Sequence, residues 1–203
     1  MIYSIFYVIF YIIAKLFFRL KVYGLENIPK KGAVLILANH ISFLDPPAIG
    51  AAMTNRKIYY LARDTLFKNF FINFIFKGWH MIPMSRGVGF RGGLERALEI
   101  LNKGEALLAF PEGTRSIDGK LQRGKPGIGM LVHSAKVPVI PCCIDGTFKI
   151  FPKGAKFVKF HRITVRFGSP LDFSEICKLN ESKEVYQKIV NDVMESIKRI
   201  GEV

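Results

Sequence analysis

Strand-like apolar runs alternate with helical stretches along most of this chain, and no other feature restricts its possible folds so strongly. The runs stand at Ala33–Ala38, Lys57–Leu61, Ala106–Phe110, Val137–Ile144 and Ile163–Phe167. Helices are expected after Pro46, near Leu94–Asn102 with Gly104 as the stop, and near Ile128–Ala135. Strands alternating with helices argue for an α/β fold, a mixed β-sheet flanked by helices. Glu181–Ile200 reads as a charged amphipathic helix that packs on the body. At 203 residues the chain suits one domain, so a single site is sought.

The first residues depart from this pattern. Ile2–Ala14 carries no charge and is crowded with aromatic residues. As a helix it rises only about 20 Å, short of the roughly 30 Å hydrocarbon core of a bilayer. Extending it to Leu20 reaches a spanning length only by including Lys15 and Arg19, which snorkel to the headgroups. No basic residue precedes the run and no small-x-small site follows it, so a retained anchor over residues 1–20 is expected, with the body at 21–203.

The formal net charge of +14 draws the chain toward polyanions. Lys15, Arg19, Lys21, Lys30 and Lys31 follow the apolar run, which expects the body on the cytoplasmic face of the cell membrane, beside anionic lipid. Nucleic acid is the other polyanion, but no nucleic-acid-binding module is recognisable. A second apolar stretch, Phe67–Phe76, is bracketed by Lys68 and Lys77. It fits a buried core helix or a face that dips into membrane or touches an acyl chain.

Cys142 and Cys143 are adjacent and Cys177 stands apart, which is neither a disulfide framework nor a CxxC pattern. His80, His133 and His161 lack metal-ligand spacing, so no metal is expected. Gly87–Gly92 satisfies GxGxxG, but a lone match is weak; a flexible surface turn is the plainer reading, and glycines that help open the helix near Arg91 are the other.

Two segments carry chemistry. In Asn39-His40-Ile41-Ser42-Phe43-Leu44-Asp45, the histidine and aspartate lie five apart, about 140° around a straight helix, so they meet only across a turn. Asp45-Pro46-Pro47 supplies that turn, with Asp45 read as a helix N-cap whose carboxylate also fixes the His40 tautomer. Such a pair makes a general base, whereas by itself the pattern also describes a surface histidine before a capping aspartate. In Phe110-Pro111-Glu112-Gly113-Thr114-Arg115-Ser116, Gly113 allows close backbone approach, and Thr114, Arg115 and Ser116 offer donors to an oxyanion, whereas read alone the segment is also a strand-end turn with an exposed arginine.

Ile82-Pro83-Met84-Ser85-Arg86 and Val137-Pro138-Val139-Ile140-Pro141 add two more strand-linked segments. These four blocks, in this order, resemble those of the bacterial 1-acylglycerol-3-phosphate acyltransferases of the glycerolipid acyltransferase family: HxxxxD, an arginine after Ile-Pro, FPEGTRS and VPVIP. The resemblance covers roughly Tyr23–Leu171, including the connecting Gly124-Lys125-Pro126-Gly127. Met84-Ser85 departs from it, where an aspartate is common before the arginine.

The resemblance implies that His40 deprotonates the acceptor hydroxyl, that Asp45 orients His40, and that no metal and no covalent acyl-enzyme take part. It places Arg86, Glu112, Gly113, Thr114 and Arg115 around the acceptor's glycerol phosphate. The residues themselves support this for the arginines, while Glu112 would repel phosphate unless paired. The implied acceptor is lysophosphatidate, giving phosphatidate, with acyl-CoA or acyl carrier protein thioester as co-substrate and no other cofactor. Another lysolipid or glycerol 3-phosphate is the alternative acceptor. A non-catalytic module for anionic lipid is the alternative from another class, and it has no use for an intact His40 and Asp45.

Overall fold

The computed structural model describes residues 2–53, 56–63, 80–84 and 89–202. Seven strands among them form one sheet: β1 (Lys21–Tyr23), β2 (Val34–Ala38), β3 (Ile58–Arg63), β4 (Met81–Met84), β5 (Ala106–Ala109), β6 (Val139–Asp145) and β7 (Thr164–Phe167). Their spatial order is β1-β7-β6-β2-β5-β3-β4. All neighbours are parallel except β6 and β7, so the sheet is mixed as expected. The helices are α1 (Ile2–Phe18), α2 (Asp45–Ala52), α3 (Gly89–Asn102), α4 (Pro126–Ala135), the single turn α5 (Thr147–Ile150) and α6 (Lys183–Gly201).

The five expected strand runs all appear, displaced by at most two residues. The three-residue β1 was not expected, because its segment reads as part of the basic rim. Phe67–Phe76 lies outside the described residues. Gly89–Gly92 already belongs to α3, so the second half of the GxGxxG match is helix.

The central strands are buried on both faces, which is why they read as near-continuous apolar runs. Along β2, Val34, Ile36 and Ala38 face a layer holding α1 and α2, while Leu35 and Leu37 face a layer formed by α3, α4 and α6. That period of two is the strand's geometry made visible in its contacts. On α6, Tyr186, Ile189, Val190, Val193, Met194 and Ile197 form the buried stripe, and Ser182 caps the helix by accepting from Val185 N at 3.2 Å.

Helix α1 is two-sided. Ala14 and Phe18 are buried, with Phe10 and Tyr11 packed on the same cluster, whereas Ile9, Ile12, Ile13, Leu16 and Phe17 are exposed. Among the described residues, no helix is long and apolar enough to cross a membrane.

Candidate active site

Parallel pairing brings the carboxyl ends of β6, β2 and β5 to one edge of the sheet, where open α/β folds place their ligands. The register levels them, with Ala38 opposite Cys142 and Leu37 opposite Ala109. Asn39 extends the β2–β6 ladder with its side chain, which donates to Ile144 O at 2.9 Å and accepts from Ile144 N at 2.8 Å. His40 thereby leaves the sheet from a fixed point.

The chain then turns through residues 41–44 into α2. Asp45 is completely buried, and its Oδ2 accepts from His40 Nδ1 at 2.8 Å and from the amides of Ile41 and Ser42 at 2.7 Å each. Its Oδ1 accepts from the Thr147 hydroxyl at 2.6 Å. Four donors at the amino end of a helix are the surroundings a buried carboxylate requires.

The cap expected at Asp45 is not there. Leu44 is the N-cap residue, and the Asp45 carboxylate points upstream. Pro46 and Pro47 have no N–H to offer, and Ala48 N is taken by Leu44 O at 3.0 Å. With no amide ahead to serve, the carboxylate is free for the imidazole. Because Nδ1 faces a carboxylate it carries the proton, which leaves Nε2 as the basic nitrogen. The His40 side chain is 18% exposed, enough to meet a substrate.

The Phe110–Ser116 segment grips His40 from the neighbouring strand. Phe110 stacks on the imidazole with centroids 4.0 Å apart and planes inclined by 17°. Glu112 Oε1 accepts from His40 N at 2.9 Å, and Ser116 N donates to His40 O at 2.7 Å. Both main-chain polar groups of His40 are therefore held by the third block, Phe110–Ser116.

These contacts revise the expectation for Ser116 and add a contact for Glu112. Ser116 is buried, its amide engaged by His40 and its hydroxyl by Asp118 at 2.9 Å, so it has no donor free for an oxyanion. Glu112 is buried as well, and its Oε1 is engaged by the His40 amide. Burial pushes its carboxyl up to about 7; the amides of His40 and Gln122 oppose the rise, and the Asp45 charge adds to it. Glu112 Oε2 is buried with no hydrogen-bond partner of good geometry among the described residues.

Gly113 sits at φ 66°, a left-handed conformation that favours glycine, and a Cβ there would lie 3.2 Å from the Cδ and Nζ of the Lys125 side chain. Lys125 N donates to Pro111 O at 2.9 Å, closing the loop at the start of α4. Thr114 and Arg115 are half-buried, and the Arg115 guanidinium lies 5.7 Å from the centroid of the Phe43 ring.

His40, Asp45, Glu112, Gly113, Thr114 and Arg115 thus share one corner. Arg86 lies outside the described residues; the strand before it, β4, forms an edge of the same sheet. The fourth block supplies β6 itself. Sequence reasoning missed Thr147, and it reads Lys125 only as part of a connecting segment. The signal for Thr147 is Asp145-Gly146-Thr147 at the end of β6: Gly146 has φ 89°, and a Cβ there would meet Arg162 O at 1.8 Å.

A mixed sheet with a buried carboxylate orienting a part-exposed imidazole, and no serine or cysteine bonded to that imidazole among the described residues, defines an α/β enzyme of the general-base kind. The model of the Acyltransferase family matches residues 19–145, well over half of the chain. The chain belongs to that family. It is 28% identical over 181 residues to a 1-acyl-sn-glycerol-3-phosphate acyltransferase of Bacillus subtilis, an alignment covering 89% of this chain and 87% of the relative. It is 30% identical to the chloroplastic 1-acyl-sn-glycerol-3-phosphate acyltransferase LPAT1 of Arabidopsis thaliana, over 82% of this chain and 48% of the relative, so it spans about half of that longer protein. The crystal structure of the 1-acyl-sn-glycerophosphate acyltransferase PlsC from Thermotoga maritima superposes with a TM-score of 0.76 at 29% identity, covering 97% of this chain and 78% of the other.

Proposed function

We propose that this acyltransferase is a 1-acylglycerol-3-phosphate O-acyltransferase, moving an acyl chain from acyl-CoA or acyl carrier protein to the sn-2 hydroxyl of lysophosphatidate. The observation that carries the mechanism is the His40–Asp45 bond, with Nε2 left to face the substrate. Nε2 takes the hydroxyl proton as the oxygen attacks the thioester carbonyl carbon. Asp45 stabilises the imidazolium that forms. The tetrahedral intermediate then collapses, its C–S bond breaks, and the departing thiolate takes the proton back from His40. The products are an ester and a thiol, with no net proton change.

Arg115 and Arg86 hold the acceptor phosphate, since a guanidinium grips phosphate through two parallel hydrogen bonds. Gly113 and Thr114 line the approach. Glu112 acts through His40 as a positioning residue. The names of the relatives support lysophosphatidate as acceptor, and the resemblance in motif order supports the thioester donor.

The exposed apolar face of α1 inserts into the cytoplasmic leaflet of the cell membrane, where the substrate resides, and the basic residues after it meet anionic headgroups. The purified chain in detergent micelles, offered lysophosphatidate, glycerol 3-phosphate and a lysolipid lacking the phosphate monoester with each thioester donor, tests the assignment. Phosphatidate formation with clear preference for lysophosphatidate is expected. Preference for another acceptor transfers the same chemistry to that substrate, and no transfer from either donor removes the enzyme reading.

A further inference from the structure

The connection from β6 to β7 has an unusual composition. Residues 146–163 contain Lys149, Lys153, Lys156, Lys159 and Arg162 and no aspartate or glutamate. Within it, Phe157 is 81% exposed and Phe160 75%, with Val158 exposed between them. Lone exposed apolar residues are ordinary, whereas clustered aromatics interleaved with lysines are not.

The segment is held in place. Lys159 N donates to Ile150 O at 2.9 Å, which closes a loop whose returning arm carries Phe157 and Val158, and Ile163 N donates to Phe18 O at 2.9 Å. Phe160 lies 6.2 Å, centroid to centroid, from both Phe17 and Phe18 at the end of α1. Through Phe160 and the exposed Phe17, this arm therefore adjoins the exposed apolar face of that helix.

We infer that residues 152–162 form a second membrane-contacting element, whose Phe157, Val158 and Phe160 enter the interfacial region of an anionic phospholipid bilayer while Lys153, Lys156 and Lys159 meet its headgroups. The occupant is set by chemistry: exposed rings suit the interface, and a run of cations without acids suits a negative surface. The same connection reaches the catalytic corner, since Ser42 Oγ donates to Phe151 O at 2.7 Å and Thr147 donates to Asp45. Seating the loop orients His40 to the bilayer plane. This rests on the reading of the substrate as a membrane lipid.

The test uses the full chain with vesicles of phosphatidylglycerol and phosphatidylcholine. Phe157→Trp adds one tryptophan to Trp79, and the added fluorescence should shift to the blue on vesicles and be quenched by lipids brominated on their acyl chains. The triple variant Lys153→Gln, Lys156→Gln, Lys159→Gln should lower partition into the anionic vesicles by roughly a hundredfold, with little change on pure phosphatidylcholine. Both variants should turn over in detergent micelles as the parent does. Emission at 157 that stays solvent-like on vesicles holding the protein overturns the inference, as does undiminished partition of the triple variant. A parent inactive in micelles refutes the proposed reaction instead, through a different measurement.

Discussion

Asp45 and Glu112 are both buried, both bonded to His40, and surrounded differently. Asp45 gathers four donors on its two oxygens, one of them the imidazole. Glu112 meets the main chain of the same histidine through Oε1, while Oε2 is buried with no hydrogen-bond partner of good geometry among the described residues. Burial accordingly pushes Glu112 up to about 7. A carboxylate that must stabilise a developing imidazolium needs its charge, and the fold converges donors on it. A carboxyl that only ties two loops together needs one acceptor oxygen, and serves whether or not it is ionised.

The sharpest way to break this comparison is at the histidine and its charged partner. His40→Ala should lower turnover by about 10²- to 10⁴-fold with the fold intact, the usual worth of a positioned base. Asp45→Asn should cause a loss of similar order, because the amide oxygen can still accept from the turn while the charge opposite the imidazolium is gone. Since Asp45 caps no amide of α2, thermal unfolding of Asp45→Asn should report only the altered hydrogen bonds. A variant that unfolds without a selective fall in kcat would make Asp45 a structural residue.

Next in size is the phosphate grip. Arg86→Lys and Arg115→Lys should each reduce kcat/KM for lysophosphatidate by roughly 30- to 150-fold, equivalent to ~2–3 kcal/mol of lost contact. The KM of the thioester donor should change much less. Equal losses with an acceptor lacking the phosphate monoester would assign the arginines to the donor or to the membrane.

Thr147→Val sharpens the contrast by making Asp45 resemble Glu112. It leaves Oδ1 buried with one donor fewer, at a cost of about 1–3 kcal/mol in stability. Turnover should fall by about tenfold as the carboxylate loses its anchor. Chemical denaturation together with kcat separates the two effects, and an unchanged midpoint would show that Thr147 is not needed to satisfy the carboxylate.

How far the sequence reveals this depends on the range of the interaction. The central strands were legible because burial on both faces leaves β2, β5 and β6 as unbroken apolar runs. His40 and Asp45 were legible because their turn is local and two prolines mark it. The direction of the Asp45 carboxylate was misread, since Asp before proline is the ordinary signature of a cap and only the missing amides of Pro46 and Pro47 redirect it. Thr147 is 102 residues from Asp45, and its contact follows from β6 lying beside β2, which periodicity does not report. Glu112 was legible as unusual, an acid in an expected phosphate site, but its inward turn depends on β5 pairing with β2.

The smallest expected effect on rate, and the most direct test of Glu112 as a strut, comes from Glu112→Gln. Its carboxyl stands at about 7 in the fold against 4.5 ordinarily. Between those values the native state binds more protons than the unfolded chain, so stability falls as pH rises through that window. At about 1.4 kcal/mol per unit, the full fall is on the order of 3 kcal/mol. The stabilisation is present below pH ~4.5 and lost by pH ~7 and above. Glutamine still offers an oxygen to His40 N and carries no charge to desolvate, so Glu112→Gln should remove this slope and be the more stable form near neutral pH. Its kcat should change by less than about tenfold, since the imidazole keeps Asp45 and Phe110. The KM for lysophosphatidate should hardly move. Denaturation midpoints from pH 5 to 8, measured beside acceptor kinetics, decide the matter. A variant that keeps the parent's slope, or that loses acceptor affinity strongly at unchanged stability, would return Glu112 to the phosphate site and leave Asp45 as the sole carboxylate acting through His40.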